Sequence, residues 1–264
     1  MSLSFSKKLF LNPPIILLGK IKVKKKFPDT PVLVGGCGRS GTTLLLSIMG
    51  AHPKIYAIPE ELGVFIEWHD SVCVGLKKRK KKSIPRIDRF YRYMLYHKIP
   101  GEVSRWCEKS PRNVRHIGKI LDYMDGNVKF IHIIRDARDV LLSRHPNAPD
   151  KYWVPIDRWI IDVTRGLAFK DEPRVLTVKY ENLILNYQTT IEKICSFINE
   201  DCPRQMREWI NYTNVKENQA WENGVTRLHS KSIGKWKTTD DKQRVEKIMD
   251  NPEVVSLLKK LKYI

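Results

Sequence analysis

PVLVGGCGRSGTT, Pro31 to Thr43, is the stretch around which the chain is organised. Pro31 to Val34 is short, apolar and β-branched, the pattern of a buried strand. Gly35, Gly36, Gly38 and Gly41 follow, and Thr42 to Met49 has the apolar density of a helix packed on a sheet. Strand, glycine loop and helix N-terminus in that order make an anion cradle, because unpaired N–H groups and the helix dipole converge on the loop. Gly36 to Thr43 fits the nucleoside-triphosphate loop G-x-x-x-x-G-K-[ST] except at one place: Thr42 replaces the lysine, and a cation, Arg39, stands three residues earlier. The missing lysine is the group that reaches the β- and γ-phosphates. The loop is therefore expected to hold a shorter anion, one phosphate plus something else.

GCGRSGTTLL followed by AHP resembles the 5′-phosphosulfate loop of sulfotransferases that use 3′-phosphoadenosine 5′-phosphosulfate (PAPS), closest to the tyrosylprotein and related bacterial branch. The resemblance implies an α/β fold, a P-loop-like parallel sheet with helices on both faces and the cofactor at its carboxyl edge. It also implies that Arg39, Ser40, Gly41, Thr42 and Thr43 bind the 5′-phosphosulfate.

NVKFIHIIRDARDVLLSR is the second strong segment. Val128 to Ile134 reads as a buried strand, with Arg135 at its end and a helix opening over Asp136 to Arg144. Arg135 and Ser143 are eight residues apart, so a helix beginning between them can bring both to one anion. The segment resembles the 3′-phosphate site of the same family, which implies that Arg135 and Ser143 grip that phosphate. Arg138 and Asp139 are read as structural.

SRWCEKSPR predicts a strand over Ser104 to Glu108 and a helix starting at Pro111. Its Glu-Lys-Ser-Pro-Arg resembles a family segment whose lysine approaches the bridging oxygen of the donor, a role that falls on Lys109. AHPKIYAIPEEL predicts an extended piece at Ile55 to Ile58, then a helix from Pro59 continuing over Leu62 to Val74. Read alone, Glu60 and Glu61 are acids at a helix start, favoured by the dipole. The resemblance implies a general base here, at Glu60, with Glu61 as the alternate.

RVLTVKYENL predicts a strand ending at Tyr180, and its Tyr-Glu-Asn-Leu resembles a family segment whose tyrosine lies near the adenine. RLHSKSIGKWKTT, with Gly234 and flanking serines and lysines, predicts a mobile basic loop. It resembles a Ser-x-Gly-Arg/Lys-Trp segment that folds over the cofactor, which makes Ser230, Ser232 and Lys235 binding candidates. Further helices are expected over Arg86 to His97, Ile156 to Lys170, Tyr187 to Ile198, Arg204 to Tyr212 and Asp241 to Tyr263.

The 264 residues show no composition break or internal repeat, so residues 31–264 read as one domain preceded by a basic arm, 1–30, disordered or peripheral. Lys and Arg number 48 against 29 Asp and Glu, a net charge of +19. That excess attracts anions: an anionic cofactor, an acidic acceptor, nucleic acid or a membrane surface. Much of it is clustered in Lys20 to Lys26 and Lys77 to Lys82. Cys37, Cys73, Cys107, Cys195 and Cys202 have neither paired nor metal spacing, which points to reduced thiols and a cytoplasmic setting. No span approaches the ~20 apolar residues of a membrane helix, and the basic N-terminal stretch leaves open a peripheral membrane contact.

The expected activity is transfer of a sulfuryl group from PAPS to a hydroxyl or phenol acceptor by in-line attack, with Glu60 as base and Arg39 and Lys109 offsetting charge. No metal is implied. An acidic peptide or a glycan is the expected kind of acceptor, without specific nucleic-acid recognition. Two alternatives stand beside it: a phosphate-loop kinase using Mg-ATP and a non-catalytic polyanion binder.

Overall fold

In the computed structural model, which describes residues 5–70, 83–145, 148–216 and 228–264, nine strands follow in chain order. They are β1 (Val32–Gly36), β2 (Ile55–Ala57), β3 (Trp68–Asp70), β4 (Ser83–Pro85), β5 (Arg105–Lys109), β6 (Lys129–Ile134), β7 (Arg144–His145), β8 (Ala148–Tyr152) and β9 (Val175–Lys179). The sheet that carries the fold has the order β2-β5-β1-β6-β9, every neighbouring pair parallel. β3 with β4 and β7 with β8 form small antiparallel ribbons.

The helices are α1 (Phe5–Lys26), α2 (Thr42–Met49), α3 (Ile87–Tyr96), α4 (Ile117–Tyr123), α5 (Ala137–Leu141), α6 (Ile156–Leu167), α7 (Tyr180–Leu185), α8 (Tyr187–Phe197), α9 (Arg204–Arg207), α10 (Trp209–Tyr212), α11 (Lys235–Thr238), α12 (Lys242–Met249) and α13 (Pro252–Lys260). They cover both faces of the sheet because its strands alternate their apolar side chains. Val32 and Val34 of β1 join Leu45, Leu46, Ile191 and Ile194 on one face, whereas Leu33 joins Phe90, Ile117 and Ile120 on the other. A third apolar cluster, with Trp159 at 0% exposure, packs α5 and α6 against α12 and α13.

β1 lies between β5 and β6, and the chain visits β2 and β5 on one side before crossing to β6 and β9 on the other. At such a reversal of strand order the loops at the carboxyl ends diverge and leave a crevice. The residues that follow β1, β5, β6 and β9 therefore meet at one edge.

Several expected boundaries differ. Residues 59–67 form no helix; the chain runs as coil and turn from Pro59 into β3. Pro59 and the two following acids resemble a helix start, but the apolar residues behind them have no helical face to continue. The 204–212 helix is broken at Glu208. The final helix divides at Asn251, whose Oδ1 accepts the N–H groups of Glu253 and Val254 and starts α13 at Pro252. Residues 5–26, expected as an arm, form α1, which packs on α3 through Gly19 against Tyr91 and through Lys22 Nζ donating to Leu95 O. The Lys77 to Lys82 cluster and Cys73 lie outside the described residues.

Candidate active site

The loop after β1 turns through two left-handed residues, Arg39 (φ +66°) and Gly41 (φ +92°). A Cβ at Gly41 would meet the Tyr180 ring at 2.4 Å, so this position needs glycine for both its dihedral and its space. The turn delivers the chain into α2, whose first residues Thr42 and Thr43 are buried. Ser40 is fully buried, and its Oγ has no hydrogen-bond partner.

A cavity of about 380 Å³ opens above this loop. Arg39, Gly41, Thr42 and Thr43 line it, together with Glu61, Arg135, Tyr180 and Ser232. Each comes from a strand tip or from the 228–239 segment that crosses the edge. Arg135 follows β6 directly, and its Nη1 donates to the Arg39 carbonyl at 3.0 Å. Its guanidinium lies 4.5 Å from the centre of the Tyr180 ring, and its Nε is buried without a partner. Burial first, and then the charge of Arg135, lower the pKa of Arg39. Two guanidiniums lining one cavity favour an anion there, in addition to the buried Asp139 carboxylate 3.9 Å from Arg135 Nη2.

Lys109, the last residue of β5, has no exposed surface and donates from Nζ to Glu61 Oε1. A buried ammonium survives only with a partner, and Glu61, half-exposed at the cavity wall, is that partner. Behind Lys109 lies Glu108, fully buried, whose carboxylate accepts from Ser110 Oγ at 2.5 Å and from Asn113 Nδ2 at 2.8 Å. Ser110 Oγ also accepts the Gly63 N–H, tying the segment that bears Glu61 to the end of β5. Burial pushes the Glu108 carboxyl up to about 7, against the pull of those two hydrogen bonds and of Lys109.

The 228–239 segment is not a loose loop. Asp139 accepts the N–H groups of Gly234 (2.7 Å) and Trp236 (3.2 Å). Arg138 lies 3.8 Å from the Trp236 ring centre, and Arg135 Nη2 donates to Ser232 O. Tyr180 OH and Ser232 Oγ are 2.7 Å apart, closing the segment onto α7. Arg138 is also paired with Asp136 at 2.7 Å, so the two residues read as structural have structural partners.

Not every expected site residue meets at the cavity. Glu60 is 62% exposed at its side chain and faces His97 Nε2 at 3.9 Å, away from the residues that line the cavity. Pro59 to Leu62 is coil, so successive side chains diverge instead of sharing a helix face. Ser143 does not line the cavity either: α5 ends at Leu141, and Ser143 Oγ donates to Asp139 O at 3.3 Å. Ser230 and Lys235 are exposed and outside the lining, in contrast to Ser232.

Two residues that sequence reasoning passed over lie at the cavity or behind its wall. Arg158, in the first turn of α6, lines the cavity, and a Cβ at Gly38 would lie 3.1 Å from its Nη2. Its Nε is buried without a hydrogen bond, and the fully buried Asp162 stands 3.6 Å away. Glu108 is the other. A carboxylate inside a strand flanked by Cys107 and Lys109 was the available signal, since an acid is rarely buried there without purpose. Among the described residues, no group of three or more His, Cys, Asp and Glu side chains is placed to hold a metal ion, and no helix is long and apolar enough to cross a membrane.

The family model described as "Sulfotransferase family" matches residues 31–204. A protein-tyrosine sulfotransferase of Drosophila melanogaster is 23% identical over 233 residues, covering 78% of this chain and 46% of that protein. A 3-alpha-hydroxysteroid sulfotransferase of Cavia porcellus is 26% identical over 205 residues, covering 64% and 71%. The chain thus spans less than half the length of the fly relative. Among solved structures, the sulfotransferase domain of the Synechococcus PCC 7002 olefin synthase superposes with a TM-score of 0.61 at 18% identity, covering 90% of this chain and 96% of that one. A mouse sulfotransferase complexed with PAP gives 0.53 at 19%, covering 96% and 95%. Both structures share the fold.

Proposed function

We propose that this chain, which belongs to the sulfotransferase family, moves the sulfuryl group of PAPS onto an acceptor hydroxyl or phenol with Glu61 as the general base. The observation that carries the reading is the meeting of Arg39, Arg135 and Glu61, with buried Lys109 behind it, at the tips of neighbouring parallel strands around one cavity. The buried, unpartnered Ser40 Oγ and Arg135 Nε fit an anionic nucleotide, because each is a donor lacking an acceptor.

PAPS supplies an activated sulfuryl group on its 5′-phosphate. The N–H groups of the loop and the Arg39 guanidinium hold that end, and Arg135 holds the 3′-phosphate. Ser232 and Tyr180 close over the nucleotide from the side. Ser143 takes no part unless the loop after α5 moves, since its hydroxyl is spent on Asp139 O.

Glu61 takes the acceptor proton as the acceptor oxygen bonds to sulfur. The bond between sulfur and the 5′-phosphate oxygen breaks in the same event, and the electron pair stays on the phosphate. Lys109, released from Glu61 as that carboxylate turns to the acceptor, donates to the departing oxygen. A cation kept in a dry site for charge that grows only in the transition state is effective because it needs no reorganisation. The Lys109–Glu61 contact therefore holds the cation and the base side by side before the acceptor arrives.

The two relatives are named for a protein tyrosine and a hydroxysteroid, both of which present a hydroxyl. The net charge of +19 favours an acidic peptide or glycan over a neutral acceptor. The test is transfer of labelled sulfonate from PAPS across a panel of acidic peptides, glycans, phenols and sterols, alongside calorimetric titration with PAP and with Mg-ATP. The reading requires tight PAP binding and label transfer. Preference for Mg-ATP would return the chain to the kinase alternative, and salt-sensitive polyanion binding without transfer would leave only a binding protein.

A further inference from the structure

We infer that the outer face of α1 is a docking surface for an anionic lipid bilayer. Helical spacing separates the two sides of α1. Gly19 is buried and Lys22, Val23 and Lys26 are half-buried towards α3, and Phe27 beyond the helix end is buried as well. Lys22 Nζ donates to Leu95 O, and Lys26 Nζ donates to Gly101 O at 2.6 Å. Pro14, Leu17, Leu18, Ile21, Lys24 and Lys25 recur at three- and four-residue intervals on the opposite side, all exposed.

Leu17, Leu18 and Ile21 are 60%, 57% and 58% exposed, three large apolar side chains side by side on one turn of helix. Apolar residues scattered singly on a surface need no explanation, but a contiguous set does. Lys20, Lys24 and Lys25 are exposed around them.

The combination selects the occupant. A second copy of this chain would cover the leucines and isoleucine, but a symmetric contact would press three lysines against the same three lysines. A soluble polyanion would neutralise the lysines and leave the apolar side chains in water. A bilayer with anionic headgroups satisfies both at once: the apolar side chains enter the acyl boundary, and the lysines meet the negative surface. Since no helix among the described residues can cross a membrane, α1 lies on the surface.

The experiment is co-sedimentation of the full chain with vesicles of pure phosphatidylcholine and with vesicles one-third phosphatidylserine. The wild type is expected to partition at least tenfold more strongly onto the anionic vesicles. Leu17→Ser, Leu18→Ser and Ile21→Ser combined should weaken that binding at least tenfold, with unfolding temperature and PAP affinity unchanged. Neutralising Lys20, Lys24 and Lys25 with glutamine should cost about five-fold for each lysine. Equal binding by wild type and the serine variant would overturn the inference, because adsorption would then be charge alone. So would equal binding to both vesicles, or a concentration-dependent dimer that the serine variant abolishes.

Discussion

Arg135 Nη1 donates to the Arg39 carbonyl at 3.0 Å, so the residue that follows β6 is fastened to the loop that follows β1. One cavity is lined by both guanidiniums. The proposed donor requires a single bisphosphorylated adenosine to touch both. Arg135 does two jobs, bracing the loop and presenting charge, and a lysine could not do both because it lacks the fork of donors.

Arg135→Ala is expected to weaken PAP about ten- to a hundred-fold, as loss of a charge-assisted hydrogen bond does. AMP, which lacks the 3′-phosphate, should be affected far less. Calorimetric titration of both nucleotides separates the two results. An equal loss for AMP would mean that Arg135 serves only the loop.

Lys109→Ala should lower turnover by ~10²–10³ while PAP affinity changes little. Glu61→Gln should lower it by ~10²–10⁴, the range of a general base, whereas Glu60→Gln leaves it near the wild-type rate. Steady-state assays with the best acceptor of the panel decide between the two acids. Wild-type activity in Glu61→Gln would sink the assignment.

Arg158 stands against Gly38, at the start of the loop. Arg158→Ala should weaken PAPS about ten-fold more than PAP, because only PAPS carries the sulfonate that a third guanidinium would meet. Competition binding of the two nucleotides measures the ratio. A ratio of one would assign Arg158 to the buried Asp162 instead.

Glu108 has a folded pKa near 7, above its ordinary value of 4.5. The folded state therefore holds this proton more tightly than the unfolded state. The group's contribution is full below pH 4.5 and is lost as pH rises through 7, at about 1.4 kcal/mol per pH unit in between. Glu108→Gln should consequently gain on the wild type as pH rises from 5 to 8. Its amide can donate to Asn113 Oδ1, which has no partner. Unfolding temperatures of both proteins at pH 5 and pH 8 provide the check, and parallel curves would refute it.

The order of elements was legible because local signals agree with the packing. The apolar run before Gly35, the glycines and the apolar run after Gly41 specify β1, loop and α2, and Arg135 follows a mostly apolar strand interrupted by Lys129 and His132. The 59–67 segment was misread for the opposite reason. Its proline and acids are ordinary helix-start signals, while Gly63 at φ +60° and the tie from Ser110 to its N–H hold the chain in coil.

What the sequence by itself determined is the glycine loop between strand and helix, the cations at strand ends and the parallel α/β fold that presents them. Each depends on residues close together in the chain, where backbone geometry sets the outcome. Only the tertiary structure decided that Glu61 rather than Glu60 lines the cavity, that Ser143 turns to Asp139, that Arg158 lines the cavity, and that Glu108 is buried behind Lys109. The first of these depends on which way a side chain points out of coil and on a partner 48 residues away, Lys109. The others depend on whether near neighbours, Asp139 for Ser143, Asp162 for Arg158, and Ser110 and Asn113 for Glu108, are met in a buried setting. Spacing along the chain carries no record of either.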